Sequence, residues 1–289
     1  MITVFGSINL DLIFALDRLP APGETVLGPS VRSEPGGKGA NQAVAAALQG
    51  ASVVMVGAVG RDGMAVPALT GLIAAGVDVS RVARAEAGTG CAAICTADGK
   101  NQIAVGAGAN LLARADQVEA ALLGPSHTLL LQMECDPDET AALIRRVSGC
   151  RIILNLAPAA PLSRDALEAV DILVVNEAEA AWLAAYAPGL TGPNIVHTLG
   201  ERGAEYRGTI VPAWPVHAVD STAAGDCFTG ALAAGLDRGL DMQDALRLAS
   251  AAAALCCTRQ GSQGSLPTHA ETELFISAPA LVLHGRGPG

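Results

Sequence analysis

The sequence predicts an α/β fold: a central, mostly parallel sheet flanked by helices in a three-layer arrangement of Rossmann type. Three observations carry this. The apolar runs at 128–133, 151–156, 172–175 and 194–198 are nearly continuous, the pattern of strands covered on both faces. Segments of helical composition, 137–147 and 164–170, stand between them. Hydrophobic residues make up 51% of the chain and aromatics 3%, so the core is built from Ala, Val, Leu and Ile. At 289 residues the chain is expected to form one domain spanning 1–289.

Residues 2–5 read as a buried strand ending at Gly6-Ser7. Residues 8–14 alternate in part, and on a strand Asn9 and Asp11 face the same way. Such a pair can grip adjacent hydroxyls of a sugar; two solvent-facing polar residues are the plain alternative. A turn at 19–25 precedes a short strand at 25–32. Glu34-Pro35-Gly36-Gly37-Lys38-Gly39-Ala40-Asn41-Gln42 then feeds a helix at 43–48. A Walker A loop would need glycine at Arg32 and Ser or Thr at Gly39, so this is not one. It is a glycine-rich turn on which a small hydroxylated ligand can lie against the backbone, with Asn41 able to point into the cleft. A second buried strand spans 52–57, and 57–63 lacks the G-x-G-x-x-G spacing of a dinucleotide site. A helix at 64–75 closes at Gly76. The runs 90–97 and 102–105 flank Asp98-Gly99-Lys100-Asn101, a hairpin signal. A glycine-rich loop at 106–110 leads to a helix around 113–123.

Ligands of parallel sheets sit at the carboxyl ends of the strands. The polar residues expected there are Glu134, Asn155, Asn176, Glu177, Glu179, and the turn from Thr198 through Gly200 to Gly203. Acidic and amide groups beside a phosphate site suit Mg²⁺ held largely through water. Residues 216–219 read as a strand end, followed by a turn and a helix over 224–236. Ser221 and Thr222 offer capping hydroxyls, and Gly225 permits close approach of a ligand. The free N–H groups and positive dipole of that helix start make an anion site, with Asp226 at its lip. An anion hole beside a carboxylate suits phosphoryl transfer, with the carboxylate taking a hydroxyl proton. Plain capping by Asp226 is an equal alternative at this point. The helix at 242–257 is almost all Ala and Leu, so it is buried; the loop 258–265 follows, and the tail 281–289 is expected to fray.

A net charge of −10 argues against a nucleic-acid surface. The lysines are Lys38 and Lys100, so an anionic ligand must rely on backbone N–H groups, arginine or metal. No apolar run reaches membrane-span length, and the N-terminus lacks the basic region of a signal peptide. The seven cysteines have no zinc spacing and read as buried, reduced thiols of a cytoplasmic protein.

Gly-Ser-Ile-Asn-Leu-Asp at 6–11, Gly-Gly-Lys-Gly-Ala-Asn-Gln-Ala-Val-Ala-Ala at 36–46 and Asp-Ser-Thr-Ala-Ala-Gly-Asp at 220–226 together resemble the ribokinase-like carbohydrate kinase family over about residues 2–270. The resemblance implies a β-sheet lid over a sugar, from about 8–35 and 88–106. It implies an ATP-dependent kinase acting on the 5-hydroxyl of D-ribose, with Asp226 as general base and Ala223, Ala224 and Gly225 as the anion hole. Asn9, Asp11, Gly37, Lys38, Asn41 and Glu134 would hold the sugar. Asn176, Thr198, Gly200, Gly203, Gly225 and Ser250 would meet the nucleotide, with Glu179 associated with Mg²⁺. Asp220, Thr222, Cys256, Arg259, Gly261 and Ser265 match a monovalent-cation site, best suited to K⁺. A homodimer through the lid is also implied. Leu156, Ser250 and Gly264 depart from the family's usual proline, histidine and proline. The span 180–195 looks too short for the helix expected there, and the hairpin 204–211 looks trimmed. The alternatives are a kinase for another pentose, a nucleoside or a ketohexose, or a non-catalytic sugar-binding homologue.

Overall fold

The computed structural model describes residues 1–97 and 100–278. The main sheet has nine strands: β1 (Ile2–Phe5), β4 (Val53–Val59), β5 (Asp78–Arg84), β8 (Thr128–Leu131), β9 (Arg151–Asn155), β10 (Ile172–Asn176), β11 (Asn194–Thr198), β12 (Ala204–Tyr206) and β13 (Thr209–Val211). Their order is β13-β12-β11-β10-β9-β8-β1-β4-β5. All neighbours are parallel except the short edge hairpin β12–β13 and its junction with β11. A separate four-stranded sheet, the lid, has the order β3-β2-β6-β7, from β2 (Asn9–Ala15), β3 (Ser30–Gly36), β6 (Gly90–Ala97) and β7 (Lys100–Gly106).

Successive strand residues feed opposite faces of the main sheet. Val4, Met55, Leu130 and Ile153 pack under α1 (Lys38–Leu48), α2 (Ala65–Ala74), α6 (Ala224–Asp237) and α7 (Met242–Cys257). Phe5, Val56, Leu131 and Leu154 pack under α3 (Pro137–Arg146), α4 (Arg164–Glu168) and α5 (Glu177–Tyr186). A last helix, α8 (His269–Ser277), buries Phe275 against α7. Helices α1 and α6 cross at Gly230, where a Cβ would come within 2.5 Å of the Gln42 carbonyl and 2.7 Å of the Ala45 Cβ. That close approach sets the distance between the starts of the two helices.

Several elements differ from the sequence expectation. The strand expected at 25–32 begins at Ser30, after Pro29, which has no N–H to give a ladder. Helix α1 starts at Lys38, behind Gly37 at φ 88°, so Asn41 and Gln42 lie on the helix itself. The expected helix around 113–123 is a set of 3-10 turns. There Arg146 donates to the Ala115 and Val118 carbonyls, groups an α-helix would have used internally. Residues 216–219 are not a strand; Val219 N–H donates to the Cys257 carbonyl instead. Strand β5 escaped the sequence reading. So did α5, which fits because it starts at Glu177, ahead of the span 180–195, on an Asn176–Glu179 capping box. The hairpin β12–β13 is short, with three residues in each strand. Strands β6 and β7 pair antiparallel as expected, while the turn residues Asp98-Gly99 and the tail 281–289 lie outside the described residues.

Candidate active site

Asp226 is the third residue of α6, with Ala223 as the helix N-cap. Its carboxylate does not cap its own helix. Oδ2 accepts from Asn41 Nδ2 at 3.0 Å, and Oδ1 accepts from Gln42 Nε2 at 3.0 Å. Gln42 Nε2 also donates to Asn155 Oδ1 at 3.1 Å, tying the carboxylate to the end of β9. Asp226 is therefore buried yet paired, as a buried charge must be. The hydroxyls of Ser221 and Thr222 do not cap α6; Thr222 instead donates its N–H and hydroxyl to Asp220. Of the three expected anion-hole donors, the Ala224 N–H already donates to the Ser221 carbonyl at 3.2 Å. The Ala223 and Gly225 N–H groups have no protein acceptor among the described residues. A Cβ at Gly225 would meet no atom within 4 Å, so the helix start opens on free space.

On the lid side, Asn9 and Asp11 share one face of β2, and both are buried. Asn9 Oδ1 accepts from Asn110 Nδ2 at 2.7 Å, and Asn110 Oδ1 accepts from the Ile8 N–H at 2.9 Å. Asp11 Oδ1 is buried without a partner. Burial first, then the charges of Glu134, Glu34 and Asp226, push the Asp11 carboxyl up to about 7. Glu134 Oε2 accepts from Ser7 Oγ at 2.6 Å and from the Lys38 N–H at 3.0 Å, pinning the start of α1. Gly37 lies so close to the Asn9 N–H and the Ser7 carbonyl that a Cβ would fall within 3.0 Å of both.

Beyond Asp226 lies a cleft of about 900 Å³ at the carboxyl ends of the strands. Asn176, Thr198, Gly200, Gly203, Gly225 and Ser250, the residues expected at the nucleotide, all line it. Lys38 and Glu179 line it too, so Lys38, expected on the sugar, borders the second compartment. Asp226 beside Lys38, joined by Glu134 and Glu179, raises the ammonium pKa against the opposing effect of burial. Burial raises the Glu179 pKa, opposed by the Asn176 N–H and by Lys38. No group of three or more His, Cys, Asp or Glu among the described residues could hold a metal by side chains alone. This donor set fits a cation that keeps its waters and takes ligands from phosphates. Trp214 also lines the cleft, flanked by the Phe275 ring and by the Arg247 guanidinium.

Of the six expected cation residues, Asp220 and Thr222 stand on the turn before α6, and Cys256, Arg259, Gly261 and Ser265 stand at the end of α7 and in the loop after it. Asp220 Oδ2 accepts from the Gly261 N–H at 3.0 Å, joining the turn before α6 to the loop after α7. Burial raises the Asp220 pKa, but the Thr222 and Gly261 donors outweigh it, so the carboxyl lies below its ordinary range. Cys256 Sγ and Ser265 Oγ are 3.1 Å apart, and Ser265 donates to the Ser262 carbonyl. Arg259 lies in the same loop, its guanidinium paired with Glu271. All seven cysteines are free thiols; Cys135, Cys150, Cys227 and Cys256 are buried, whereas Cys91, Cys95 and Cys257 are half-buried.

Four contributors escaped the sequence reading: Ser7, Gln42, Asn110 and Gln263. All four stand in stretches the sequence singles out, but nothing local marks Gln42 as a donor to Asp226 or Gln263 as a donor to Asn41. Gln263 donates from the cation loop to Asn41 Oδ1 at 3.2 Å.

A family model described as pfkB family carbohydrate kinase matches residues 1–269. The chain belongs to the pfkB family of carbohydrate kinases. It is 39% identical to a ribokinase of Bacillus subtilis, over 96% of this chain and 99% of the relative. It superposes on the crystal structure of a ribokinase from Thermotoga maritima with a TM-score of 0.89 and 31% identity, covering 96% and 99% of the two chains. Against an Arabidopsis thaliana ribokinase complexed with ribose and ATP, the TM-score is 0.84 at 28% identity, covering 95% and 98%.

Proposed function

We propose that the chain transfers the γ-phosphoryl group of ATP to the 5-hydroxyl of D-ribose, giving ribose 5-phosphate and ADP. The observation that carries this is the position of Asp226. Its carboxylate, held by Asn41 and Gln42, stands between the lid-side polar cluster and the cleft lined by Asn176, Thr198 and Ser250. In this reading Asn9, Asp11, Asn41 and Glu134 hold ribose beneath the lid, and ATP fills the cleft. Asp226 takes the proton from the 5-hydroxyl as that oxygen bonds to the γ-phosphorus. The bond from phosphorus to the bridging oxygen breaks, and the electron pair leaves with ADP. The Ala223 and Gly225 N–H groups at the α6 start hold the charge that develops on the phosphoryl oxygens. The Lys38 ammonium stays charged and balances Asp226, Glu134 and Glu179.

Mg²⁺, when bound with ATP, neutralises phosphate charge; Glu179 and Asn176 would hold it through water. A K⁺ ion would be held by the side chains of Asp220 and Ser265, with backbone carbonyls among Thr222, Cys256, Arg259 and Gly261, bracing the turn that presents the anion hole. We read 1–289 as one domain with the lid inserted. Ile103 and Val105 of β7 are both exposed on the lid face that carries Ile13 and Ile94, and this apolar stretch supports a homodimer through the lid. Free thiols support a cytoplasmic location. No helix among the described residues is long and apolar enough to cross a membrane.

The test is a coupled ADP-release assay over pentoses, ketohexoses and nucleosides. Ribose is expected to give the highest kcat/KM. A nucleoside or ketohexose outperforming it reassigns the substrate, and ribose binding without ADP release leaves a sugar-binding homologue.

A further inference from the structure

Gln263 opens a short 3-10 turn in the loop after α7 and is buried. Its Nε2 donates to Asn41 Oδ1 at 3.2 Å, across 222 positions of sequence. Asn41 Nδ2 in turn donates to Asp226 Oδ2 at 3.0 Å. The direction of this chain is set from its acidic end. An ionised carboxylate only accepts, so Asn41 must turn its NH₂ toward Asp226. The Asn41 carbonyl then faces Gln263, which must answer with its own NH₂. Gln263 Oε1 is left buried with no partner, against Gly71 of α2, where any side chain would collide with it. Leaving a buried carbonyl unpaired is unfavourable, so the amide is held this way round by what its other end does. The same loop is anchored to the lid, because Ser262 donates its hydroxyl to the Pro35 carbonyl at 2.9 Å and its N–H to Glu34 at 3.3 Å.

We infer that Gln263 is a positioning residue for phosphoryl transfer: it fixes the Asn41 amide with its NH₂ toward Asp226, and so holds the carboxylate of the base in place. The inference rests on the reading of Asp226 as the base. The charged groups facing Asp226 are Lys38 of α1, Asp11 of β2 and Glu179 of α5, with the Cys227 and Cys256 thiols beside it. A substitution at Gln263 leaves all of them in place.

The test uses the full chain and two variants. Gln263→Glu keeps the shape but offers Asn41 an acceptor, which favours turning the Asn41 carbonyl onto Asp226. Gln263→Leu removes the donor. Each is expected to lower kcat roughly tenfold to a hundredfold, the worth of one buried hydrogen bond, with the KM for ATP nearly unchanged. Gln263→Leu, which adds no charge of its own, is expected to move the acid limb of the kcat–pH profile upward, because the freed Asn41 amide no longer holds its NH₂ on the carboxylate. In an Asn41→Ala background, Gln263→Leu is expected to change kcat no further. Wild-type kcat and pH profile in both variants, or a full additive loss in the Asn41→Ala background, would overturn the inference. Should Gln263→Glu not fold, Gln263→Leu decides by the additivity comparison. Wild-type turnover of ribose is measured first. If it is absent, the functional reading fails, while the Asn41–Gln263 coupling is still read from the melting temperatures of the two single variants and the double variant.

Discussion

Asn41 Nδ2 lies 3.0 Å from Asp226 Oδ2, so the first turn of α1 and the first turn of α6 share a hydrogen bond across 185 positions of sequence. Gln42 makes the matching bond to the other carboxylate oxygen. Adjacent helix residues point about 100° apart, so both reach one carboxylate only because α6 lies very close. That closeness is set four residues further along α6, at Gly230.

Asp226→Asn is expected to lower kcat by about 10²–10⁴-fold, the usual contribution of a positioned general base. Ribose binding, measured by calorimetry, should persist. A variant with near-wild-type kcat would remove Asp226 from the mechanism.

Asp11→Ala and Asn41→Ala each remove a group proposed to hold sugar hydroxyls, and each should cost about 1–3 kcal/mol of ribose binding. The KM for ATP should stay near its original value in Asp11→Ala. Asn41→Ala should also lower kcat, because Asn41 bonds to Asp226. Steady-state kinetics with each substrate varied in turn separates the two. Equal changes in both KM values for Asp11→Ala would point to misfolding.

Asp11 also gives a pH signature. Its carboxyl titrates near 7 in the folded protein, against an ordinary value of 3.8. The folded state therefore holds a proton that the unfolded chain has lost over that interval. This contribution to stability is fully present below about pH 4 and is lost as pH rises through about 7. Asp11→Asn should be more stable than wild type above pH 7 in sugar-free buffer, with the difference vanishing near pH 4. Denaturant titrations across that range measure it; a pH-independent difference contradicts it. Ionised Asp11 is the better acceptor, so ribose affinity should rise from about pH 6 to 8.

Gly230→Ala forces a Cβ to within 2.5 Å of the Gln42 carbonyl. Overpacking of this kind costs about 1–3 kcal/mol, and here it also spreads α1 from α6. Melting temperature and kcat should fall together. Gly225→Ala meets no protein atom, so its melting temperature should hold while kcat falls as the methyl intrudes on the anion hole.

For the proposed cation site, rates in chloride salts at matched ionic strength should be highest with K⁺ and little raised by Na⁺, whose tighter hydration suits a carbonyl cage less well. Asp220→Ala should abolish the difference. Identical rates in K⁺, Na⁺ and no added alkali cation would rule the site out.

The strands of the main sheet other than β5, the buried helix α7, the Asn9–Asp11 face and the Asp226 helix start were determined by the sequence alone. Each depends on short-range rules: continuous apolar runs, a period of two along a strand, and small residues at a helix start. Asn176 and Glu179 lie in the expected crevice, and the helix they cap runs from Glu177 to Tyr186, so it begins ahead of the span 180–195 that is too short to hold it alone. Arg146 replaced an expected helix by taking carbonyls from a segment 28 and 31 positions away. Gln42, Asn110 and Gln263 reached the site only through the tertiary structure, with partners 184, 101 and 222 positions distant. The direction of an amide, and which carboxylate it serves, follows from how closely two helices cross. In this protein that distance depends on the missing side chain of Gly230, whose effect appears only when α1 lies against it.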